Sequence, residues 1–406
     1  MLANILNSDQ IRSCFALSFS YRYSSSYHRG VSERIKAGID LYPLAFPSTS
    51  DNNSLLAKLP RRIRKYIFFV LRLLISLPLS LYEIVVLYIL LIKVKPDVLH
   101  INNGGYPGSL SARLAVVAGK LAFIPNIVMV VNNMAVPFAS IPRFLDYPLD
   151  MFVASSVTRF ITGSNAAGAQ LSKVLNIPKK SQLSIPNGFD ISPLKPSSSC
   201  ASHSFSKLDK HSFFIGVPAV LVPRKGHQFL IEAFDQLLKN QPSLRFENIK
   251  IFFAGDGVLE LTLKILIRQL CLDEYFVFLG HITNIESFIT NMDLIVLPSL
   301  RDEDFPNVII ESMALGKAVV GSSVAGIPEQ ILDGITGFLV EPGNHLDLMN
   351  KLSYCFSNRL LIHDFGRAGL RRYNQEFTLR RTLAQYFSLY SQLACKPEAF
   401  NCNSVD

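Results

Sequence analysis

Residues 297–343 read LPSLRDEDFPNVIIESMALGKAVVGSSVAGIPEQILDGITGFLVEPG, and this segment is the most informative part of the chain about its fold. An apolar strand predicted over residues 293–297 leads into it, and a loop carrying Glu303 follows the turn at Pro298. A helix is predicted to begin at Pro306 and to carry Glu311, with a second strand over residues 318–321. Strand, loop, helix and strand in this order are typical of an α/β sheet.

The start of the predicted helix suits a nucleotide-sugar. Proline in a first helical turn leaves neighbouring N–H groups free, and these groups together with the helix dipole favour an anion. The N–H groups of Asn307 and Val308 are therefore expected to meet a diphosphate. Asn307 and Glu311 share a helix face, where a carboxylate can accept hydrogen bonds from a ribose diol. Glu303 would face the sugar hydroxyls. On spacing alone, an amphipathic helix with two solvated acids explains the pattern equally well.

The same stretch resembles the signature of retaining glycosyltransferases of the GT-B fold, family 4 type. That signature runs from a glutamate through Phe and Pro-Asn-Val to a second glutamate, a small residue and Met-Ala, and residues 303–314 read EDFPNVIIESMA. Residues 326–329, GIPE, and 334–343, GITGFLVEPG, are also similar to the family. The resemblance implies two Rossmann-like, doubly wound α/β domains facing a cleft.

Composition agrees with a two-domain globular protein. The chain has 406 residues, of which 49% are hydrophobic and 17% charged, so a large core is expected. Its six cysteines are scattered without a C-x-x-C pair, which argues against a zinc site or a secreted disulfide framework and for a reducing compartment. No signal peptide is evident at the N-terminus. We therefore expect a cytoplasmic protein.

Charge is unevenly distributed. Residues 1–200 hold 21 Lys and Arg against 9 Asp and Glu, a net charge of +12, whereas residues 201–406 hold 19 against 22, a net charge of −3. Such asymmetry indicates an anionic partner for the first half. No nucleic-acid-binding signature accompanies the charge, so an anionic membrane surface or a lipid-phosphate acceptor fits better than nucleic acid. Basic solvated faces with no partner remain the alternative.

The choice between a membrane partner and solvated basic faces also depends on residues 61–95, which read RRIRKYIFFVLRLLISLPLSLYEIVVLYILLIKVK. Arg72 and Glu83 interrupt the apolar segment, so no charge-free run reaches the length of a spanning helix. Pro78 is expected to divide it into two helices. Three interpretations stay open for residues 66–92: a buried helical pair, an interfacial helix on anionic lipid, and a true span.

Strands and helices alternate on both sides of a Ser-, Pro- and Lys-rich linker at residues 192–210. We predict an N-terminal Rossmann-like acceptor-binding domain over residues 1–195 and a donor-binding one over 211–375. Residues 376–406 are expected to carry a helix that packs back on the first domain, as in the family. The predicted strands cover residues 14–19, 97–101, 127–131, 160–163, 183–186, 213–221, 249–254, 276–279, 293–297 and 318–321.

The resemblance also assigns residues to the donor diphosphate. The family reads Gly-Arg-Leu, three variable residues and Lys-Gly, and its Arg and Lys both grip the diphosphate. Lys225 and the glycine after it match, but Val220 stands in place of the Arg. Either Arg224 compensates, or the donor is bound with fewer charges. A helix-start lysine with no ligand is the alternative. Phe305, His281 and Ile282 complete the predicted donor set, the last two against the nucleobase.

The first domain offers candidates for the acceptor or the diphosphate. His100, Gly104 and Gly105 lie at a glycine-rich strand-to-helix turn, where backbone N–H groups can approach an oxyanion. His100 is equally explained as an ordinary buried histidine. Gly30 is a plausible counterpart of the family's glycine turn near the diphosphate. Asn132 and Asn133 stand where many family members have a catalytic-site histidine, and an amide there can hydrogen-bond a sugar hydroxyl.

Asp302-Glu303-Asp304 is a D-x-D triplet, which holds a divalent metal in a different class of glycosyltransferases. At this place in its signature, the family that the segment resembles binds the diphosphate with helix dipoles and lysine instead of a metal. Neither a metal nor another cofactor is therefore expected.

The resemblance implies retaining transfer of a sugar from a nucleotide-sugar to a saccharide or lipid-linked acceptor hydroxyl, in surface polysaccharide or lipopolysaccharide synthesis. Lys225 and Glu303 are the expected catalytic residues, with Lys225 stabilising the leaving diphosphate and Glu303 orienting the sugar. The protein would be peripheral on the inner face of the cell membrane. A nucleotide-sugar epimerase of the same fold and a non-catalytic basic membrane-binding module are the alternatives.

Overall fold

The computed structural model describes residues 2–22, 31, 33–37, 39–44, 61–190 and 212–394. The predicted linker and Gly30 lie outside these ranges. The chain forms two compact units. The N-terminal unit contains residues 1–161, 168–183 and 383–406, and the C-terminal unit contains 162–167 and 184–382. Residues 162–167 and 184–190 therefore group with the second unit, although the prediction assigned them to the first.

The N-terminal unit is built on a four-stranded sheet of order β3-β4-β5-β6, and β1 and β2 form a separate parallel pair. The last helix belongs to this unit from Leu383 onward, and Asn126 donates a 2.8 Å hydrogen bond to the Leu393 carbonyl. The elements are α1 Leu2–Asn7, α2 Asp9–Cys14, β1 Ser18–Arg22, β2 Asp40–Leu44, α3 Arg61–Val94, β3 Val98–Asn103, α4 Leu110–Leu121, β4 Asn126–Val131, α5 Ile141–Phe144, α6 Tyr147–Ser156, β5 Arg159–Thr162, α7 Asn165–Leu175 and β6 Gln182–Ser184.

The C-terminal unit is built on a six-stranded parallel sheet of order β12-β11-β10-β7-β8-β9. Its β10 is buried along its whole length, as expected of a parallel strand covered on both faces. The elements are β7 Phe213–Pro218, α8 His227–Asn240, β8 Ile249–Ala254, α9 Glu260–Gln269, β9 Phe276–Gly280, α10 Ile285–Thr290, β10 Leu294–Leu297, α11 Asn307–Ala314, β11 Ala318–Ser322, α12 Ile327–Gln330, β12 Gly337–Val340, α13 His345–Ser357, α14 Arg359–Glu376 and α15 Leu379–Ala394, the last ending in the N-terminal unit.

The predicted α/β class is confirmed, but some boundaries were wrong. A strand was expected over residues 14–19, yet α2 extends to Cys14 and β1 begins at Ser18. The side chain of Ser8 caps α2 by accepting a hydrogen bond from the Ile11 N–H, a local signal that favours helix. The short strands β2 and β12 were not predicted at all. Helix α11 begins one residue later than expected, because Pro306 is its N-cap with extended ψ.

Helix α3 corrects the expectation that Pro78 separates two helices, since one helix continues from Arg61 to Val94. An interior proline costs about 3 kcal/mol through one lost hydrogen bond and a clash, and in so long a helix the other turns keep their bonds. Leu87 and Leu91 pack against Ala118 of α4. The segment Leu77–Val94 is long and apolar enough to cross a membrane by length and composition.

The outward face of residues 77–94 of α3 is also apolar. Leu77, Leu81, Val85 and Ile89 are spaced one helical turn apart, and each is 52–63% exposed. Over residues 77–94 the helix is therefore buried on one side only, which does not fit a fully buried helix in this part of the segment.

Candidate functional site

The carboxylate of Glu303 is the meeting point of three polar side chains. Its Oε1 atom forms an ion pair with Lys225 Nζ, accepts a 3.1 Å hydrogen bond from Arg224 Nη1 and a 3.0 Å bond from Ser299 Oγ. Glu303 is only 6% exposed. Its Oε2 atom accepts no hydrogen bond from any residue in the described ranges. One carboxylate oxygen is thus saturated, and the other remains available to a hydroxyl donor.

The C-terminal sheet brings these side chains together. Strands β7 and β10 are neighbours, and the loops at their carboxyl ends carry Lys225 and Glu303 respectively. Gly226 adopts φ +69°, and a Cβ atom there would lie 1.9 Å from the Pro298 carbonyl oxygen. The Leu300 N–H donates a 2.8 Å hydrogen bond to the Arg224 carbonyl. A side chain at position 226 would push the two loops apart, which is a physical reason for glycine after the lysine.

Two cations facing one carboxylate leave a local excess of positive charge. The side chains of Arg224 and Lys225 are 36% and 14% exposed, so both can be reached by a ligand. Val220 is 55% exposed and brings no charge. The geometry places Arg224, rather than residue 220, beside the glutamate. An anion such as a diphosphate would find two charged donors here.

The start of α11 follows Glu303 closely in the sequence. As the first two helical residues, Asn307 and Val308 have N–H groups without intrahelical acceptors. The Asn307 side chain accepts a 3.1 Å hydrogen bond from Asn187, and Gln330 donates a 3.1 Å bond to the Pro306 carbonyl. These bonds fix the helix end from two sides. The N–H groups of Asn307 and Val308 have no acceptor in the part of the chain that the structure describes, so they can receive an anion.

Glu311, one turn further along α11, is a partly buried acid. Burial raises its pKa to about 7, and the nearby Glu286 carboxylate adds to the shift. Among the described residues its carboxylate has no hydrogen-bond or ion-pair partner. A carboxyl group with a raised pKa and no protein partner is typical of a ligand-binding site.

The other predicted donor residues have different surroundings. The Phe305 side chain is buried in the core and packs edge-on against Phe377, with ring centroids 5.7 Å apart. The side chain stabilises the loop. Any contact of Phe305 with the nucleotide-sugar would therefore be made by its backbone. Ile282 packs against the same core, whereas His281 is exposed. The nucleobase contact remains a prediction for both.

The D-x-D triplet does not converge. Asp302 has φ +60° and is exposed, whereas Asp304 is buried. Asp304 accepts hydrogen bonds from Ser164 Oγ at 2.6 Å and from the Gly163 N–H at 3.1 Å. Burial raises the pKa of Asp304, and these hydrogen bonds oppose the shift. No group of three or more potential metal ligands occurs among the described residues.

In the N-terminal unit, His100 contacts the last helix. Its Nδ1 atom lies 2.7 Å from the Tyr390 hydroxyl, and burial lowers the pKa of His100 to about 4. This environment is that of a buried structural histidine, the alternative that the sequence left open. Asn132 donates hydrogen bonds to Asn102 Oδ1 at 2.8 Å and to the Asn103 carbonyl at 3.0 Å.

Gly104 and Gly105 follow β3, at a carboxyl end of the N-terminal sheet. Within the described ranges their N–H groups have no hydrogen-bond acceptor, and a Cβ atom on Gly104 would meet nothing within 4 Å. Asn133 lies beside Gly105, with 3.4 Å between the asparagine Cβ and the position of a glycine Cβ. Open space and free donors suit the predicted oxyanion role.

Sequence reasoning missed Ser299 and Asp304. Ser299 directly follows the turn after β10, a position at which polar side chains often reach a ligand site, so its place in the sequence was a usable signal. The hydrogen bonds of Asp304 join residues 140 and 141 positions apart. No local pattern indicates such a contact.

Part of the chain matches a known protein family. Residues 201–372 match the family described as glycosyl transferases group 1. A capsular polysaccharide biosynthesis glycosyltransferase, CapM of Staphylococcus aureus, is 24% identical over 53% of this chain and 57% of its own length. The UDP-Gal:α-D-GlcNAc-diphosphoundecaprenol α-1,3-galactosyltransferase of Escherichia coli is 28% identical over 71% and 73%. The chain spans about half the length of the first curated relatives it matches, between 42% and 57%.

Among solved structures, HepE from Anabaena in complex with UDP superposes with a TM-score of 0.69 and 19% identity, covering 96% of this chain and 95% of that one. At this identity the likeness shows the fold. The chain therefore has the GT-B fold, and its residues 201–372 match the glycosyl transferases group 1 family.

Proposed function

We propose that this protein is a retaining glycosyltransferase that moves a sugar from a nucleotide-sugar to a hydroxyl of a saccharide or lipid-linked acceptor. The observation that carries the proposal is the convergence of Lys225, Arg224 and Ser299 on one oxygen of Glu303, which precedes the start of α11 by a single short loop in the sequence. The two loops then provide positive charge that can bind a diphosphate. They also provide a carboxylate oxygen that can accept a hydrogen bond from a sugar hydroxyl.

A uridine diphosphate sugar is the proposed donor. HepE, with the same fold, was crystallised with UDP, and the E. coli relative is named for a UDP-sugar donor. In this chain the ribose diol would donate hydrogen bonds to Glu311, and the diphosphate would meet Lys225, Arg224 and the N–H groups at the start of α11. Because these groups supply the charge, we propose that no metal is needed.

In the proposed reaction, the bond between the anomeric carbon and the diphosphate oxygen breaks, and the acceptor oxygen bonds to the same face of that carbon. The leaving diphosphate takes the acceptor proton. Lys225 and Arg224 stabilise the developing negative charge on the diphosphate, which is the transition-state stabilisation expected of fixed charged donors. Glu303 orients the sugar through its free Oε2 atom.

The setting proposed is synthesis of a surface polysaccharide or lipopolysaccharide at the inner face of the cell membrane. Support comes from the relatives' names, the net charge of +12 over residues 1–200, and the exposed apolar face of α3. A helix with one face packed on α4 and one apolar face outward fits an orientation in the plane of the membrane interface.

Product stereochemistry tests the proposal. The protein is incubated with UDP-sugars and an acceptor panel of free saccharides and polyprenyl-diphosphate saccharides, and the anomeric configuration of the product is read by NMR. A product with the configuration of the donor supports retaining transfer. An inverted product contradicts the retaining mechanism, and epimerised donor without transfer would favour the epimerase. Glu303→Gln should abolish transfer, whereas Asp302→Asn, the exposed neighbour, should leave it unchanged.

A further inference from the structure

The N-terminal unit contains a largely buried cluster of polar and charged side chains that the proposed reaction does not use. It comprises Tyr106, Arg113, Arg143, Asp146 and Asp150, and we call it the Asp150 cluster. Asp150 is fully buried, and Tyr106, Arg113 and Arg143 are at most 7% exposed. Charged side chains are rarely buried unless they are paired, so this cluster is a specific feature of the unit.

Asp150, in the first turn of α6, lies at the centre of the cluster. Its Oδ1 atom accepts hydrogen bonds from the Tyr106 hydroxyl at 3.1 Å and from Arg113 Nη1 at 3.0 Å, and its Oδ2 atom pairs with Arg143 Nη1. Asp146 lies 3.2 Å from Arg113 and 3.4 Å from Arg143. Two guanidinium groups thus face two carboxylates. Removing one partner would leave a buried charge uncompensated, so the arrangement is strongly fixed.

The cluster is bonded to two loops at the carboxyl ends of adjacent strands. Tyr106 belongs to the loop after β3. Arg143 Nε donates a 3.2 Å hydrogen bond to the Val136 carbonyl in the loop after β4, and its guanidinium lies 4.2 Å from the Phe138 ring centroid. The Val136 N–H in turn donates a 2.8 Å bond to the Tyr106 carbonyl. Asp150 therefore holds both loops, and the loops hold each other.

The same two loops carry the groups that the sequence assigned to the acceptor or the diphosphate. Gly104 and Gly105 precede Tyr106 directly, and Asn132 and Asn133 begin the second loop. Ligands of open α/β sheets bind at such carboxyl-end loops. A tyrosine one residue beyond the two free glycine N–H groups, anchored by a buried carboxylate, fixes where those N–H groups point.

We propose that Asp150 is a positioning residue for the acceptor: through Tyr106 and Arg143 it fixes the loops after β3 and β4 in the arrangement that receives the acceptor. This inference rests on the proposed glycosyl transfer. Asp150 does not touch the substrate itself. Its effect is on acceptor binding, and donor binding by the C-terminal unit does not depend on it.

The test compares Tyr106→Phe with Tyr147→Phe, the same change in the same unit on a tyrosine with no bond to Asp150. Tyr106→Phe removes one hydroxyl and keeps the ring, so the fold is retained even if Asp150→Asn fails to fold. Transfer is measured with UDP-glucose, UDP-galactose and UDP-N-acetylglucosamine as donors. The acceptors are the same three sugars, each supplied both as the free sugar and linked to a polyprenyl diphosphate.

Tyr106→Phe should raise the acceptor KM about tenfold, as expected for one lost hydrogen bond. It should leave the donor KM and the UDP-induced rise in melting temperature unchanged, and Tyr147→Phe should behave as wild type. Unchanged acceptor KM, or equal losses for donor and acceptor, would overturn the positioning role while the transferase assignment stands. Wild-type protein that transfers no sugar in any combination would overturn the proposed function and this inference with it.

Discussion

Lys225 and Glu303 are 78 residues apart in the sequence, yet their side chains form an ion pair in the C-terminal unit. The contact exists because β7 and β10 are neighbours in the sheet, so the loops that follow them meet at one edge. A ligand diphosphate would compete with Glu303 for the lysine. The pair therefore sets the charge at the proposed donor site before the donor arrives.

Lys225→Met should weaken UDP binding by at least about thirtyfold, because truncating a partly buried charge that contacts a ligand costs about 2 kcal/mol or more. Isothermal titration with UDP measures the loss. Lys239→Met is the matched control: Lys239 lies on α8 and pairs with Asp235 at the surface, and its replacement should leave UDP affinity unchanged. Equal affinities of wild type and Lys225→Met would contradict the assignment.

Variants at Arg224 and Val220 test which residue supplies the second positive charge, beside Lys225, at the proposed donor site. Arg224→Leu should weaken UDP binding about tenfold, since one charge-assisted hydrogen bond is worth roughly 1.5 kcal/mol. Val220→Arg introduces the arginine of the family pattern, and in the Arg224→Leu background it should restore part of the affinity. Equilibrium titration of the two single variants and the double variant measures both effects. If Arg224→Leu binds UDP like wild type, Arg224 does not compensate.

Glu311 is predicted to make folding stability and UDP affinity depend on pH in opposite directions. Its pKa is raised from 4.5 to about 7, so the folded protein holds a proton that the unfolded chain has already lost between these values. This contribution to folding stability is fully present below about pH 4.5 and is lost as the pH rises through about 7, a change of roughly 3 kcal/mol.

Glu311→Gln should therefore raise the melting temperature at about pH 8 relative to wild type, with little change at about pH 5. UDP affinity should follow the reverse course, because ribose hydroxyls donate to the ionised carboxylate: it should increase from about pH 6 to pH 8 in wild type and stay flat in Glu311→Gln. Glu232→Gln, an acid on the partly exposed side of α8, serves as the control. A pH-independent wild-type affinity would contradict the ribose role.

The outward face of α3 predicts membrane binding. Leu81→Ser together with Ile89→Ser should reduce cosedimentation with phosphatidylglycerol vesicles at least about fivefold, because two apolar side chains no longer enter the lipid. Leu360→Ser, at a leucine that is even more exposed but lies in the C-terminal unit, should have no effect. High salt should weaken wild-type binding by screening the basic half of the chain. Equal sedimentation of all variants would exclude α3 as the contact.

The sequence predicted strands with strong local patterns and missed relations that depend on tertiary contacts. Strand β8 was predicted with its observed bounds, because a continuous apolar run has few alternatives. Which face of α3 would be buried was not predictable, since both faces are apolar and only packing on α4 separates them. The Asp150 cluster likewise could not be predicted from the sequence. Tyr106, Arg113 and Asp150 belong to no motif and come together only through the packing of α4 and α6.

Glu303, Lys225 and the start of α11 are proposed to form the binding site for the nucleotide-sugar donor. The most direct measurement is the melting temperature of the full chain with UDP-, GDP- and ADP-sugars, with and without Mg²⁺, since a ligand that binds only the folded state raises it. We predict a rise with UDP-sugars that does not need Mg²⁺ and that Lys225→Met removes. No rise with any nucleotide-sugar, or the same rise in Lys225→Met, would contradict the account.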